Sequence, residues 1–171
     1  MKTIKILLSS VLLMSSVVMA GSFGQLGLGY SKGDNSDNFI TAYGSLNVLG
    51  NFGARLEYTK NITENPEFSK ENISRYGLFV TYTLPLISGF SVTPKIGLVK
   101  TDGSFTILET LQKVSKSSTD FTYGLEVNYA LNEKVHAYIG YTDYGNELDI
   151  KDIDTSKMDT ANYTFGIKID L

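Results

Sequence analysis

Between residues 120 and 130, an apolar side chain stands at every second position, Phe121, Tyr123, Leu125, Val127 and Tyr129, with Thr122, Glu126 and Asn128 between them. Successive strand residues point to opposite faces, so such a run is a strand with one apolar and one polar side; wound as a helix it would have no coherent face. The same period recurs along the chain after residue 20, broken by Gly, Asn, Asp and Pro. It predicts strands over 23–31, 38–48, 52–60, 74–84, 91–101, 120–130, 135–145 and 162–171.

The connections between these strands alternate in length. Short ones fall at 48–51, 84–90 and 131–134, and long ones at 32–37, 61–72, 102–119 and 146–161. In an up-and-down arrangement all short turns then lie at one end and all long loops at the other, the asymmetry of transmembrane barrels. The predicted fold is all-β, an eight-stranded antiparallel up-and-down transmembrane β-barrel. Outward faces are assigned to Leu26, Leu28 and Tyr30, to Phe52, Ala54, Leu56 and Tyr58, and to Tyr76, Leu78, Val80 and Tyr82. Phe165, Ile167, Ile169 and Leu171 continue that face, while Gln25, Arg55, Glu57, Arg75, Thr81, Glu126, Thr164 and Lys168 point inward. Phe39, Tyr43, His136 and Tyr138 also fall on the inward parity, against the polar trend.

Outward aromatics gather at two levels. Tyr30, Tyr58, Tyr76, Tyr123, Tyr141 and Tyr163 lie toward the long-loop end, and Phe52, Tyr82 and Tyr129 toward the turn end. Two such girdles suit the two headgroup levels of a bilayer.

Residues 1–20 read as a removed secretory signal: Lys2 and Lys5, then an apolar stretch over 6–14, then Val18-Met19-Ala20 at the cleavage site. That stretch is short of the ~20 residues a spanning helix needs. The barrel domain is then 21–171, and no Cys follows the cleavage site to carry a lipid. Without those 20 residues the chain keeps 151, with 13 basic against 18 acidic side chains. A nucleic-acid partner is excluded, because phosphate neutralisation needs a clustered basic surface.

The chain ends Asn162-Tyr163-Thr164-Phe165-Gly166-Ile167-Lys168-Ile169-Asp170-Leu171. Thr164, Gly166, Ile169 and Leu171 fit the polar-x-Gly-x-x-hydrophobic-x-hydrophobic terminal signal of outer-membrane proteins. The sequence resembles the small eight-stranded barrels of the Gram-negative outer membrane, the OmpX, opacity-protein and OmpA membrane-domain family. Members often end in Phe, and here Leu171 stands in that place. The resemblance implies location in the outer membrane, contact with its lipid and lipopolysaccharide, a monomeric barrel, and engagement of Gly166, Ile169 and Leu171 by the barrel-assembly machinery.

The interior of an eight-stranded barrel is about filled by its own side chains. Arg55, Glu57, Lys95, Glu126 and Lys168 fall at one level from the turn end, so an ion-pair network closing the lumen is expected. A structural or surface-interaction role follows, with a narrow pore for ions or small solutes as the alternative. A soluble, lipocalin-like secreted barrel would invert the faces around a ligand, but no Trp is present for the lipocalin signature.

No catalytic residue and no cofactor are expected. The single histidine stands in Val135-His136-Ala137-Tyr138, without the His-x-Ser spacing of barrels that deacylate lipid A. The Gly24-Gln25-Leu26-Gly27-Leu28-Gly29 run lacks the G-x-G-x-x-G order, and is read as letting a strand bend. Glu147, Asp149, Asp152 and Asp154 are either a solvated acidic loop or a divalent-cation site bridging to lipopolysaccharide phosphates. Within 102–119, Phe105, Leu108 and Leu111 suit a short amphipathic helix over the mouth, whereas Thr106, Leu108 and Thr110 suit strands continuing past the membrane or an extra hairpin, which would make ten strands. Apolar side chains there would also suit an extracellular protein ligand bound through the long loops.

Overall fold

The computed structural model describes residues 24–33, 37–63, 72–107, 112–145 and 161–171. The leader at 1–20 and the acidic residues Glu147, Asp149, Asp152 and Asp154 lie outside these. Among the described residues are eight long strands: β1 (Gly24–Gly33), β2 (Asn38–Leu49), β3 (Phe52–Asn61), β4 (Asn72–Tyr82), β5 (Phe90–Ile107), β6 (Gln112–Ala130), β7 (Val135–Asp143) and β8 (Ala161–Asp170). Each pairs antiparallel with its neighbours in the chain, and β8 closes on β1. Leu84–Pro85 adds a two-residue piece against Ser91 and Val92 at the turn end. Closure removes the sheet edges that an open sheet would leave unpaired.

The faces run as strand parity requires. Leu28 (55 % exposed), Leu98 (58 %), Phe121 (62 %) and Phe165 (60 %) stand on the outer wall. Arg55, Glu57, Lys95 and Glu126 are buried inside. The inverted, ligand-enclosing soluble barrel is thereby overturned. Phe39, Tyr43 and Tyr138 are lumen side chains, buried despite being apolar or aromatic.

The connection at 102–119 differs from a loop. β5 and β6 stay in register without interruption from Phe90↔Tyr129 to Ile107↔Gln112, as strands of 18 and 19 residues. Phe105 belongs to this ladder, so the helix expected over Phe105, Leu108 and Leu111 does not form there; Leu108 and Leu111 are outside the described residues. The same two strands lengthen, which is the continuing-strand reading of this stretch, instead of a further hairpin entering the membrane, and the count stays at eight among the described residues. Thr101, Phe105, Thr106, Ile107 and Val114 are strand formers, and backbone pairing between adjacent antiparallel segments satisfies their polar groups at once.

The short turns carry the local chemistry they need. Gly50 (φ 56°) and Gly89 (φ 80°) take left-handed conformations that glycine adopts without a Cβ penalty. Asn132 Oδ1 accepts from the amides of Lys134 and Val135, each at 2.9 Å, and fixes the turn into β7. β7 ends at Asp143, two residues earlier than its alternation suggests, and Tyr144 turns inward over the lumen.

Candidate functional site

The lumen is packed by setting large side chains beside glycines on the next strand. Tyr43 and Lys168 both pair with Gly27, Lys95 with Gly124, Glu126 with Gly140, and Tyr138 with Gly166. A Cβ at Gly27 would fall on the Tyr43 ring, and one at Gly29 on the Tyr138 hydroxyl. Gly27 and Gly29 therefore make room for rings, a use beside the bend expected of this run. Small-beside-large alternation is how a narrow barrel fills its interior.

In the space so made, four charges meet. Arg55 on β3 holds Glu126 on β6 with both terminal nitrogens: Nη2 donates to Oε2 at 3.0 Å, and Nη1 to Oε1. Lys95 Nζ on β5 donates to Glu57 Oε2 at 2.7 Å. The pairs are joined by Arg55 Nη1, 3.8 Å from Glu57 Oε2. Two positive and two negative groups cancel in a place where an unpaired charge would cost several kcal/mol. Lys168, also buried, has no ion-pair partner within 4 Å among the described residues.

Aromatic rings cover this quartet. The Arg55 guanidinium lies 3.8 Å from the Tyr43 ring centre, and Lys95 Nζ 4.7 Å from that of Phe79. Tyr138 meets Tyr43 edge-on at 5.8 Å. On the long-loop side, Tyr144 Oη donates to Glu57 Oε1 at 3.2 Å, and Arg75 sits between the rings of Phe39 and Tyr144 at 4.8 and 4.5 Å. Rings facing cations in a desolvated space attract them by about 2 kcal/mol or more. Sequence parity put Phe39 and Tyr43 inside, but nothing local revealed that they stack on cations, and Phe79 was not singled out at all. Asp37, just before β2, has its carboxyl raised above the ordinary value of 3.8 by burial, with the Arg75 charge opposing.

The terminal-signal residues divide by face. Thr164 points inward and shares a hydroxyl bond of 2.8 Å with Ser31, which begins a ladder through Thr41 and Thr59 at 3.0 Å each. Gly166 adjoins Tyr138, while Ile169 and Leu171 are exposed on the outer wall. The Leu171 amide donates to the Gly24 carbonyl at 2.9 Å, so this strand completes the ring. His136 stands at the turn-end mouth, Nε2 3.0 Å from Asp170 Oδ2, and Gln25 Nε2 donates to the other oxygen of that carboxylate at 2.8 Å.

Outside, aromatic pairs bound an apolar band at both ends. Tyr30–Phe165 (5.3 Å), Tyr58–Tyr76 (5.0 Å) and Tyr141–Tyr163 (5.4 Å) lie toward the long-loop end. Phe52–Tyr82 (4.6 Å) and Phe90–Tyr129 (4.7 Å) lie toward the turns. A closed barrel with a charged core, an apolar wall and two girdles has the solvation pattern of a bilayer-spanning protein. The family model of the outer membrane protein β-barrel domain matches residues 6–169. The chain belongs to that family.

This outer-membrane barrel is similar in fold to the N-terminal β-barrel domain of Pseudomonas aeruginosa OprF, at 8 % identity and a TM-score of 0.66, over 90 % of this chain and 100 % of that one. Neisserial surface protein A is similar at 12 % identity and a TM-score of 0.56, over 88 % and 98 % of the two chains. Ail, the attachment invasion locus protein of Yersinia pestis, is similar at 12 % identity and 0.54, over 87 % and 99 %. No curated protein sequence matches this chain significantly. Such low identities show the shared fold, and membership of the family places the barrel in the outer membrane.

Proposed function

We propose that this barrel is a closed, non-conducting protein of the outer membrane whose work is done at its surface, through long loops facing the exterior. Membership of the outer-membrane barrel family supports a structural or surface role, and the four-charge lumen carries the finer reading. Each cation of the quartet, Arg55 and Lys95, is held by a carboxylate on another strand and faces a ring, so a permeating ion would have to break a buried pair and displace an aromatic side chain. Breaking such a pair by losing one partner costs about 3–5 kcal/mol. That barrier opposes the alternative of a narrow solute pore.

Within the same reading, residues 1–20 are a leader removed on export. Thr164, Gly166, Ile169 and Leu171 are the segment recognised by the assembly machinery, with Ile169 and Leu171 exposed for that contact. The barrel works as a monomer without catalysis: His136 is engaged with Asp170 as a stabilising contact at the mouth. Recording from the folded protein in planar bilayers tests the central point. Absence of resolved steps is expected; steady conductance altered by Glu126→Ala would overturn it.

A further inference from the structure

One region of the outer wall is concave. A groove of about 700 Å³ lies across β6, β7, β8 and β1, between two neighbouring rows of outward side chains. The lower row follows the cross-strand register Phe90, Tyr129, Ala137, Ile167 and Leu28. The upper row follows Val127, Ile139, Phe165, Tyr30 and Ile40. Between them the floor is backbone, at Gly29 and Gly166 among others, and the smallest side chain along either row is Ala137.

The register also gives the groove a direction. Its lower row begins at the first residue of β5 and passes through the third residue of β7 to the fifth of β1, so it climbs from the turn end toward the long loops. It starts at the turn-side pair Phe90–Tyr129 and reaches the loop-side pair Tyr30–Phe165. At a strand spacing of about 4.8 Å, the four steps from β5 to β1 extend roughly 19 Å along the wall. Such a channel, apolar throughout and slanted from one headgroup level toward the other, has the form of a seat for an extended hydrocarbon chain.

What stands at its upper end is positive. The upper row continues from Ile40 to Lys60 on β3, and Lys32 follows Tyr30 by two residues on the same face of β1. Lys32 is exposed and Lys60 half-buried, and neither has an ion-pair partner among the described residues. The two lysines flank the start of β2 just beyond the girdle, where lipid phosphates lie. Among the described residues, the other outward charges near this level are already engaged: Lys100 with Asp102 at 3.2 Å, and Asp143 with the Tyr123 hydroxyl at 2.9 Å.

We propose that this groove is a binding site for one phosphate-bearing lipid of the leaflet on the long-loop side, an acyl chain lying between the two rows and the phosphate held by Lys32 and Lys60. Chain and headgroup chemistry are then read by one wall of the barrel. The inference rests on the outer-membrane assignment and is independent of whether the lumen conducts.

The test is native mass spectrometry of the full-length folded protein released from detergent, with lipid A, phosphatidylcholine and inorganic phosphate as probes. One lipid A per barrel is expected to survive conditions that strip phosphatidylcholine, with no retention of inorganic phosphate. Ala137→Phe, which fills the groove from the lipid-facing wall, should weaken lipid A retention at least tenfold while the heat-dependent gel shift of the folded barrel is kept. Lys32→Gln with Lys60→Gln should bring lipid A down to the level of phosphatidylcholine. Equal retention by wild type and Ala137→Phe overturns the proposal, as does equal retention of the two lipids by wild type. A dimer in the wild type that Ala137→Phe dissolves also overturns it, by assigning the groove to a second copy.

Discussion

Arg55 and Glu126, 71 residues apart in sequence, form a two-point ion pair across the lumen, although Glu57 stands two residues from Arg55 on the same face of β3. Nη2 donates to Oε2 at 3.0 Å, while the nearer-in-sequence carboxylate is left at 3.8 Å and given to Lys95. Glu126→Gln should therefore lower unfolding stability in detergent by about 3–5 kcal/mol, because it strands a buried guanidinium. Replacing both partners together, Arg55→Met with Glu126→Leu, should recover most of that loss. Urea titration followed by the gel shift of folded barrel measures both, and an additive double mutant would contradict the pairing.

Gly27 is held by shape. Its would-be Cβ falls on the Tyr43 ring, so Gly27→Ala should cost about 1–3 kcal/mol by overpacking. Tyr43→Leu in the same chain should cancel the steric part, at the expense of the ring contact with Arg55. The sign of that coupling in a double-mutant cycle is the quantity to read.

The β5–β6 hairpin outruns its neighbours. β4 reaches only Ser104 and β7 only Tyr123, so the ladder from Phe105 to Val114 is supported by nothing but itself among the described residues. Ser104 and Ser115 face each other directly. Replacing residues 105–114 with Asn-Gly should give a two-residue hairpin turn and change barrel stability by less than about 1 kcal/mol. Refolding yield and urea midpoint check this; a surface-binding activity lost in the same variant would map to the hairpin.

Asp37 gives a pH-dependent outcome. Burial raises its carboxyl above 3.8, against the opposing Arg75 charge, so the folded state holds the proton more tightly than the unfolded chain does. A group with a raised folded pKa contributes its stability below the unfolded value and loses it as pH rises through the folded one. Asp37→Asn should therefore raise the unfolding midpoint at neutral pH and leave it nearly unchanged at pH about 3. Thermal unfolding at the two pH values distinguishes this from a pH-independent effect.

Much of this was legible in the chain. The alternation in 120–130 and 52–60 set strand type, face and depth, since a period of two admits only one disposition of side chains on a strand. Element ends were less legible: strand bounds at 101 and 120 fall short of the observed pairing, and of the dispositions open to 102–119 the continuing strands are the one that forms, because past the lipid-facing wall side-chain alternation no longer has to mark a strand whose backbone pairing continues. Tyr144 lay just past its strand, where parity ceases to govern direction.

Sequence alone determined the transmembrane barrel architecture, with lipid-length strands, inward charges at one level and aromatics at two, and left the strand count at eight or ten. Tertiary structure decided which charges meet, which ring covers which cation, and where the outer wall is hollow. Those facts depend on the stagger between strands around a closed ring, where residues become neighbours by register and circumference and not by spacing along the chain.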